Sequence, residues 1–133
     1  LSPNDLEYLY IQTGVYKKIG LYAEADLGYQ KLIELGCDSP TIWIEYANLT
    51  HTINETKDSI SLLKQGLKAN KNHLDILCLL GAYYFIQKDL NNAKKFLDKG
   101  IKQDSDGCTV IYKYFPELES NIDFNQLLNF PKK

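Results

Sequence analysis

Apolar side chains recur every three or four positions along most of the chain, which is the spacing of one face of a helix. Leu6, Leu9 and Tyr16 follow this spacing, and Tyr22 and Tyr29 continue it after a break. The pattern predicts helices at residues 4–18, 22–35, 40–52, 56–69, 73–87 and 90–103. A further helix at about 107–115 ends at Pro116, and a last one covers about 122–130. The predicted fold class is therefore all-α.

The sequence also repeats with a period of 34 residues, because Leu9 aligns with Trp43 and Leu77 when the chain is shifted by that amount. The other aligned columns are Tyr16, Thr50 and Tyr84; Ala25, Ser59 and Ala93; Tyr29, Leu63 and Leu97; Leu32, Gly66 and Gly100; and Ile33, Leu67 and Ile101. No insertion or deletion is needed across the three copies. Three equal helix pairs are expected to stack on one another and bury a shared core.

The period and the aligned residues resemble those of the tetratricopeptide repeat (TPR) family. The third repeat fits that signature best, at Leu80, Gly81, Tyr84, Ala93, Leu97 and Gly100. The second repeat carries the signature Trp43, whereas Cys37, Lys71 and Ser105 replace the closing proline. The resemblance implies a right-handed α-solenoid of three TPR helix–turn–helix units followed by C-terminal capping helices.

The resemblance implies one TPR domain over residues 1–133, with units at about 6–39, 40–73 and 74–107 and a cap at 108–133. The turns inside the units are predicted at Gly20, Asn54 and Lys88, where a left-handed backbone is often needed. The C-terminal tail resembles the tails that close TPR arrays in bacterial proteins. It is expected to cover the third unit. The alternative is a docking surface formed by Tyr112, Phe115, Leu127, Leu128 and Phe130.

Composition narrows the partners of this chain. The net charge is −2 and the pI is about 5.7, so neither nucleic acid nor a membrane surface is an expected partner. No apolar run approaches the ~20 residues that a membrane span needs. Cys37, Cys78 and Cys108 form no closely spaced pair, which predicts three ordinary thiols in a reducing compartment. A cytoplasmic location is therefore expected.

Catalysis is not expected. His51 and His73 lie 22 residues apart without further ligands at close helical spacing, so no metal site is predicted. The sequence has no glycine-rich phosphate loop and no nucleophile motif around a serine. The prediction is a chain that is not an enzyme and uses no cofactor.

The TPR resemblance implies that the first helix of each unit lines a concave groove that binds a protein or peptide. The residues expected to line it are Tyr10, Lys17, Ile44, Asn48, His51, Asp75, Cys78, Ala82 and Phe85. Such a groove, mixed in polarity and low in charge, suits an extended segment or a helix held by apolar anchors. The expected function is that of an adaptor or scaffold.

One TPR ligand class is predicted not to bind. Heat-shock co-chaperones of the family grip a Glu-Glu-Val-Asp tail with a clamp of Lys, Asn and Arg. The matching positions here are Tyr10, Gly14, Glu45, Asp75 and Leu79, none of which fits and two of which are acidic. The alternative function is structural: a segment of a longer helical array, or a self-associating unit that makes contact through its cap and convex face.

Overall fold

A computed structural model of the chain describes residues 3–53 and 55–128, and no strand occurs within these ranges. Its α-helices are α1 Pro3–Lys18, α2 Tyr22–Glu34, α3 Pro40–Thr52, α4 Thr56–Ala69, α5 Leu74–Ile86, α6 Leu90–Gln103, α7 Ile111–Tyr114 and α8 Ile122–Leu128. The all-α prediction is confirmed. The bounds of the first six helices agree with the predicted ones to within one residue at each end.

The chain divides into two compact units, which are called unit 1 (residues 1–69) and unit 2 (residues 70–133). Unit 1 contains α1–α4, with α1 packed on α2 and α3 packed on α4. Unit 2 contains α5–α8, with α5 packed on α6. Each helix pair is one predicted repeat, whereas the single domain over residues 1–133 stays a prediction.

Small residues in the repeat columns allow the paired helices of unit 1 to approach closely. A Cβ added to Gly66 on α4 would lie 2.7 Å from Cβ of Trp43 on α3. Ser59 stands where the other repeats carry alanine, and it is fully buried. Its hydroxyl donates to the carbonyl oxygen of Ala47 at 2.7 Å and lies 2.6 Å from the Thr50 hydroxyl. The buried polar pair is thus hydrogen-bonded, as burial requires.

Two of the three predicted turns have the expected left-handed backbone. Gly20 has φ +88° between α1 and α2, and Lys88 has φ +65° between α5 and α6. A lysine is strained in this left-handed region, so the shared turn geometry overrides its preference. The third predicted turn residue, Asn54, lies outside the described residues. Gly36 and Asn72 also have a left-handed backbone, with φ +93° and +57°, shortly after the ends of α2 and α4.

The C-terminal tail folds back onto α5 and α6. The ring of Phe115, which is 1% exposed, meets Tyr83 edge-on at 5.0 Å between centroids. Phe124, which is fully buried, meets Phe85 in the same way at 5.0 Å. The described tail therefore covers part of unit 2, as the capping interpretation expects. The alternative prediction, a docking surface that includes Phe115, is wrong for this conformation, because the Phe115 ring is buried in the core. Phe130 lies outside the described residues.

The local structure of the tail differs from the prediction. The helix expected at 107–115 is a 3-10 helix at Gly107–Val110 followed by the short α7. Pro116 ends α7 but also begins a second 3-10 helix, Pro116–Ser120. A proline lacks the N–H that the first turn of a helix leaves without a partner, so it fits this place.

The cysteine prediction is wrong for two of the three residues. Cys78 on α5 and Cys108 form a disulfide with their Cα atoms 5.3 Å apart, while Cys37 is free. The two cysteines are 30 positions apart, and their contact depends on the tail returning to α5. Gly100 on α6 leaves the space, because a Cβ there would lie 2.7 Å from Sγ of Cys78. Sequence spacing alone did not contain this information.

Candidate functional site

Three side chains converge on Glu45 in unit 1. The Tyr10 hydroxyl donates to Oε2 of Glu45 at 2.9 Å, and the Tyr29 hydroxyl donates to Oε1 at 3.3 Å. Nζ of Lys17 donates to the backbone oxygen of Glu45 at 3.3 Å. Two predicted groove residues of α1, Tyr10 and Lys17, are therefore joined to α3 by one residue. These four residues are called the Glu45 cluster.

Burial also shifts the pKa of Lys17 in this cluster. Partial burial lowers the pKa of Lys17 from its usual value of 10.5, and the nearby Glu45 carboxylate partly offsets that shift. The ammonium is thus held in a less polar place than at an exposed surface. Because Glu45 already accepts two hydroxyl hydrogen bonds, its carboxylate is fixed in orientation. This surface of unit 1 therefore presents an ordered carboxylate.

An apolar pocket lies beside the cluster, and Tyr10 forms part of its wall. This Tyr10 pocket has a volume of about 590 Å³ and is lined by Leu6, Glu7, Tyr10, Leu32, Gly36, Cys37, Asp38, Ser39, Thr41 and Ile42. Leu32 and Ile42 are core residues, whereas Glu7, Asp38 and Thr41 are exposed at its edge. The pocket thus combines apolar walls with a polar, acidic rim.

Trp43 provides a fluorescence probe next to this pocket. Its indole Nε1 donates to the backbone oxygen of Asp38 at 3.2 Å, and Asp38 lines the pocket. Trp43 is the one tryptophan of the sequence. Its fluorescence therefore reports on the loop that borders the Tyr10 pocket.

The other predicted groove residues of unit 1 differ in accessibility. Asn48 and His51 are half-buried, and Nδ1 of His51 lies 2.9 Å from the Thr56 hydroxyl oxygen. Ile44 is only 7% exposed and belongs to the core. A charged residue at Ile44 is therefore expected to disturb the fold, and it is a poor probe of binding.

The predicted residues of unit 2 also separate into two groups. Asp75 and Phe85 are half-buried, whereas Cys78 and Ala82 have no exposed surface. Cys78 is in addition held in the disulfide. In this conformation the side chains of Cys78 and Ala82 are not accessible to a partner. Phe85 remains accessible at the edge of a cavity in unit 2.

This cavity lies where α5 ends and α8 passes over it. It has a volume of about 780 Å³ and is lined by Phe85, Ile86, Lys88, Leu90, Leu118, Asn121, Asp123, Gln126 and Leu127. Its walls mix apolar and amide side chains with one lysine and one aspartate. The sequence predicted Phe85 on the groove and gave Leu127 only as part of the alternative docking surface. The other tail residues of the cavity were not predicted: Leu118, Asn121, Asp123 and Gln126.

The loop residues of the Tyr10 pocket were also missed from sequence. Only Tyr10 was predicted to line a groove, and residues 36–39 fall between the helices predicted at 22–35 and 40–52. The signal was Gly36, which follows Leu35 at the end of α2 and whose φ of +93° turns the chain toward Ser39 and α3. A glycine just after a helix often sets such a turn.

Within residues 3–53 and 55–128, no three His, Cys, Asp or Glu side chains lie close enough together to hold a metal ion. In the same part of the chain, no helix is long and apolar enough to span a bilayer.

No protein-family profile matches the sequence, and no curated protein matches it significantly. Solved structures do match. The type III secretion chaperone SycD of Yersinia enterocolitica, in complex with a peptide of the translocator YopD, has a TM-score of 0.71 and 16% identity over 96% of this chain and 92% of that one. The first TPR of Spaghetti (RPAP3), bound to the HSP90 peptide SRMEEVD, has a TM-score of 0.69 and 19% identity over 90% and 100%.

The Sgt2 TPR domain from Aspergillus fumigatus also has a TM-score of 0.69, with 14% identity over 99% of this chain and 88% of that one. These identities are low, so the likeness concerns the fold. It agrees with the 34-residue period and the six paired helices. The fold of this chain is that of the tetratricopeptide-repeat family, an all-α solenoid of three helix–turn–helix units followed by C-terminal helices.

Proposed function

We propose that this chain is a non-catalytic adaptor that binds an extended peptide segment of another protein, with an apolar side chain of that segment in the Tyr10 pocket. The observation that carries the proposal is the pocket itself. It is open, it is walled by Leu6, Leu32 and Ile42, and it adjoins ordered polar groups of the Glu45 cluster. Pockets that bind ligands commonly combine apolar walls with a few fixed polar groups.

The chemistry of the rim indicates which residues flank the anchor. Glu7 and Asp38 lie at the edge of the pocket, and Glu45 is held nearby through Tyr10. A lysine or arginine next to the apolar anchor would meet this acidic edge with favourable electrostatics, which adds specificity and association rate. The preferred ligand is therefore an apolar side chain followed or preceded by a cationic one.

Structures of similar fold support peptide binding as the class of function. The SycD structure holds a peptide of YopD, and the RPAP3 domain holds a peptide of HSP90. Both identities are below 20%, so neither peptide is transferred to this chain. What the two structures have in common is a TPR fold that binds a peptide.

A pair of threonine variants on one helix tests the site. Thr41 is exposed at the rim of the pocket, and Thr52 is exposed at the opposite end of α3. Peptides selected from a random display library on the native chain should carry an apolar residue beside a cationic one. Their binding should be lost in Thr41→Arg and kept in Thr52→Arg, as measured by calorimetry and by the fluorescence of Trp43. Equal binding to both variants would place the site elsewhere.

The exclusion of Glu-Glu-Val-Asp tails is part of the proposal. An acidic peptide brings its carboxylates to a surface where Glu45 already occupies a clamp position. Like charges in such a place cost binding free energy. A calorimetric titration with a Glu-Glu-Val-Asp peptide should give no binding tighter than about 50 μM, roughly −6 kcal/mol. A tighter complex would show that the acidic position is tolerated.

A cytoplasmic location stays a prediction, although the expectation of three free thiols, on which it was partly based, is wrong. It depended on three ordinary thiols, whereas Cys78 and Cys108 are joined. Structural disulfides persist mainly in oxidising compartments. Fractionation of cells that make the full-length protein, combined with alkylation of free thiols, would decide between the two environments.

A further inference from the structure

The first helix, α1, has apolar side chains on two opposite faces. Its inner face packs into unit 1, where Thr13 is 1% exposed. Its outer face carries Tyr8, Ile11 and Val15, which are 68%, 55% and 50% exposed, and Ile19, directly after α1, continues that face at 63% exposed. These four residues follow each other at spacings of three and four, so they form one stripe along the helix. They are called the outer stripe.

The apolar surface continues from the outer stripe toward α2. A shallow groove of about 330 Å³ runs between the two helices and is lined by Leu9, Gln12, Thr13, Tyr16, Glu24, Leu27, Gly28 and Lys31. Leu27, on α2, is 65% exposed. Gln12 and Tyr16 each follow a stripe residue on α1. Contiguous exposed apolar surface of a few hundred Å² on a soluble protein usually marks an interaction site.

Charged residues border the stripe in a self-complementary order. Glu7 and Lys18 are both exposed, one near each end of α1. They are eleven positions apart, or about three full turns, so they lie on the same flank of the stripe. If a second α1 lies antiparallel across the stripe, the two-fold axis passes near residues 12 and 13. Glu7 of each copy then lies beside Lys18 of the other.

A parallel two-fold arrangement would put the two charged flanks on opposite sides of the pair, so Glu7 of neither copy would meet Lys18 of the other. The antiparallel one forms two opposite-charge pairs and also sets the positive N-terminal end of each helix beside the negative C-terminal end of the other. The apolar positions match as well, since Ile11 of one copy falls near Val15 of the other. Both the charges and the apolar residues therefore fit a second copy of the same helix.

We propose that two copies of this chain pair through the outer stripe of α1, in an antiparallel arrangement with two-fold symmetry. Such an interface uses the same patch on both copies, which is the commonest form of soluble homodimer. One helix face is smaller than the ~800 Å² per partner of a standard interface. The dimer is accordingly weak, with dissociation in the micromolar range. The proposal goes beyond peptide binding and does not depend on it.

Sedimentation velocity of the oxidised 133-residue chain tests the pairing. From about 5 μM to about 500 μM, which spans a dissociation constant in the micromolar range, the native chain should pass from monomer to dimer. Ile11→Glu should remain monomeric throughout. The matched control is Ile122→Glu, which alters an isoleucine that is 73% exposed on α8. It should associate like the native chain. Circular dichroism checks that each variant keeps its helices.

Charge exchange tests the antiparallel order directly. Glu7→Lys and Lys18→Glu should each weaken association by tenfold or more, because each places like charges side by side twice. The double variant should restore it. Glu7 also borders the Tyr10 pocket, so the readout for these variants is oligomeric state and not peptide binding.

Three results would overturn the proposal. A native chain that stays monomeric up to the highest concentration would show that a second copy does not cover the stripe. Equal loss of association in Ile11→Glu and Ile122→Glu would show that the contact is not specific to α1. A double charge variant that remains monomeric would contradict the antiparallel arrangement. None of these results would affect the peptide-binding proposal, which has its own variants.

Discussion

The helices α1 and α5 hold equivalent places in the first and third repeats, but their surroundings differ. In α5 every residue from 76 to 84 is buried. In α1, by contrast, Thr13 is the one buried residue among those whose burial is described, which begin at Asp5. The tail closes over α5 with Phe115, and the disulfide joins that helix to Cys108. No described segment covers the outer stripe of α1, of which Ile11 is a central member.

This difference shows that a repeat sequence specifies the pairing inside each unit but not what lies outside it. Each repeat has a face for its own partner helix and a second face for a neighbour. In unit 2 the described tail is one such neighbour. In unit 1 the second face of α1 is exposed, and we propose that another copy of the chain covers it. Substitutions in the core of unit 2 are thus expected to lower the free energy of unfolding strongly. Substitutions on the outer stripe of α1 are expected mainly to weaken association between copies of the chain.

The largest effect is expected from the aromatic residues under the tail. Phe115→Ala removes a ring that is 1% exposed and packed on Tyr83, so it should lower the free energy of unfolding by about 3–5 kcal/mol. Tyr8→Ala, on the outer stripe, should change it by no more than about 0.5 kcal/mol in the monomer. Urea unfolding at low protein concentration measures both. Similar losses in the two variants would remove the contrast between the helices.

The disulfide is expected to contribute a comparable amount. It closes a loop with a sequence separation of 30, so Cys108→Ser should lower the free energy of unfolding by about 3–4 kcal/mol in the loop-entropy description. Cys37→Ser serves as the control, because that thiol is free. Alkylation of the native chain without reductant should label Cys37 alone. Labelling of all three cysteines would contradict the bond.

Two glycines provide a contrast of smaller size. Gly66→Ala places a Cβ at 2.7 Å from Trp43, which should cost about 1–3 kcal/mol of unfolding free energy. Gly14→Ala, on α1, meets nothing within 4 Å. It should stabilise the chain by up to about 1 kcal/mol, because alanine favours helix more than glycine does. Thermal or urea unfolding of the two variants measures these opposite signs. A destabilising Gly14→Ala would indicate that α1 is more closely covered than described.

The smallest expected effect is a pH dependence in the alkaline range. Burial, followed by the hydrogen bond with Asp26, raises the pKa of Tyr46 to about 12 from 10.0. The folded chain keeps this proton where the unfolded chain loses it, so the stabilisation is complete below pH 10. It is lost as the pH rises toward about 12. Tyr46→Phe should flatten the fall in stability over this range. An unchanged slope would place the effect elsewhere, for example at Tyr83, whose pKa is also raised by burial.

The helices were predictable because the 34-residue period fixes all three pairs at once. The groove residues were harder, and α5 shows why. Leu74 to Ile86 is apolar at almost every position, so no polar face indicates which side is accessible. The TPR resemblance alone placed Cys78 and Ala82 on the groove, and both are buried. On α1 the polar residues Lys17 and Gln12 mark the helix faces more clearly, and Tyr10 does lie at an accessible pocket.

Contacts that depend on the tail could not be predicted in the same way. The pairing of Cys78 with Cys108 and the packing of Phe124 on Phe85 both require that the chain after Gly107 turns back onto α5. Local periodicity contains no information on that return, because the 34-residue register no longer holds there. Glu45 was noted only as a poor match to a clamp. Its role as acceptor for Tyr10 and Tyr29 follows from the approach of α1, α2 and α3.

Amide hydrogen exchange, followed by mass spectrometry of peptides from α1 and α5, tests the central claim most directly. At low concentration, α1 should exchange much faster than α5, because exposed elements open more readily than buried ones. Raising the protein concentration should slow exchange in α1 and leave α5 unchanged. Equal protection of the two helices at low concentration, or an α1 that does not respond to concentration, would contradict the account.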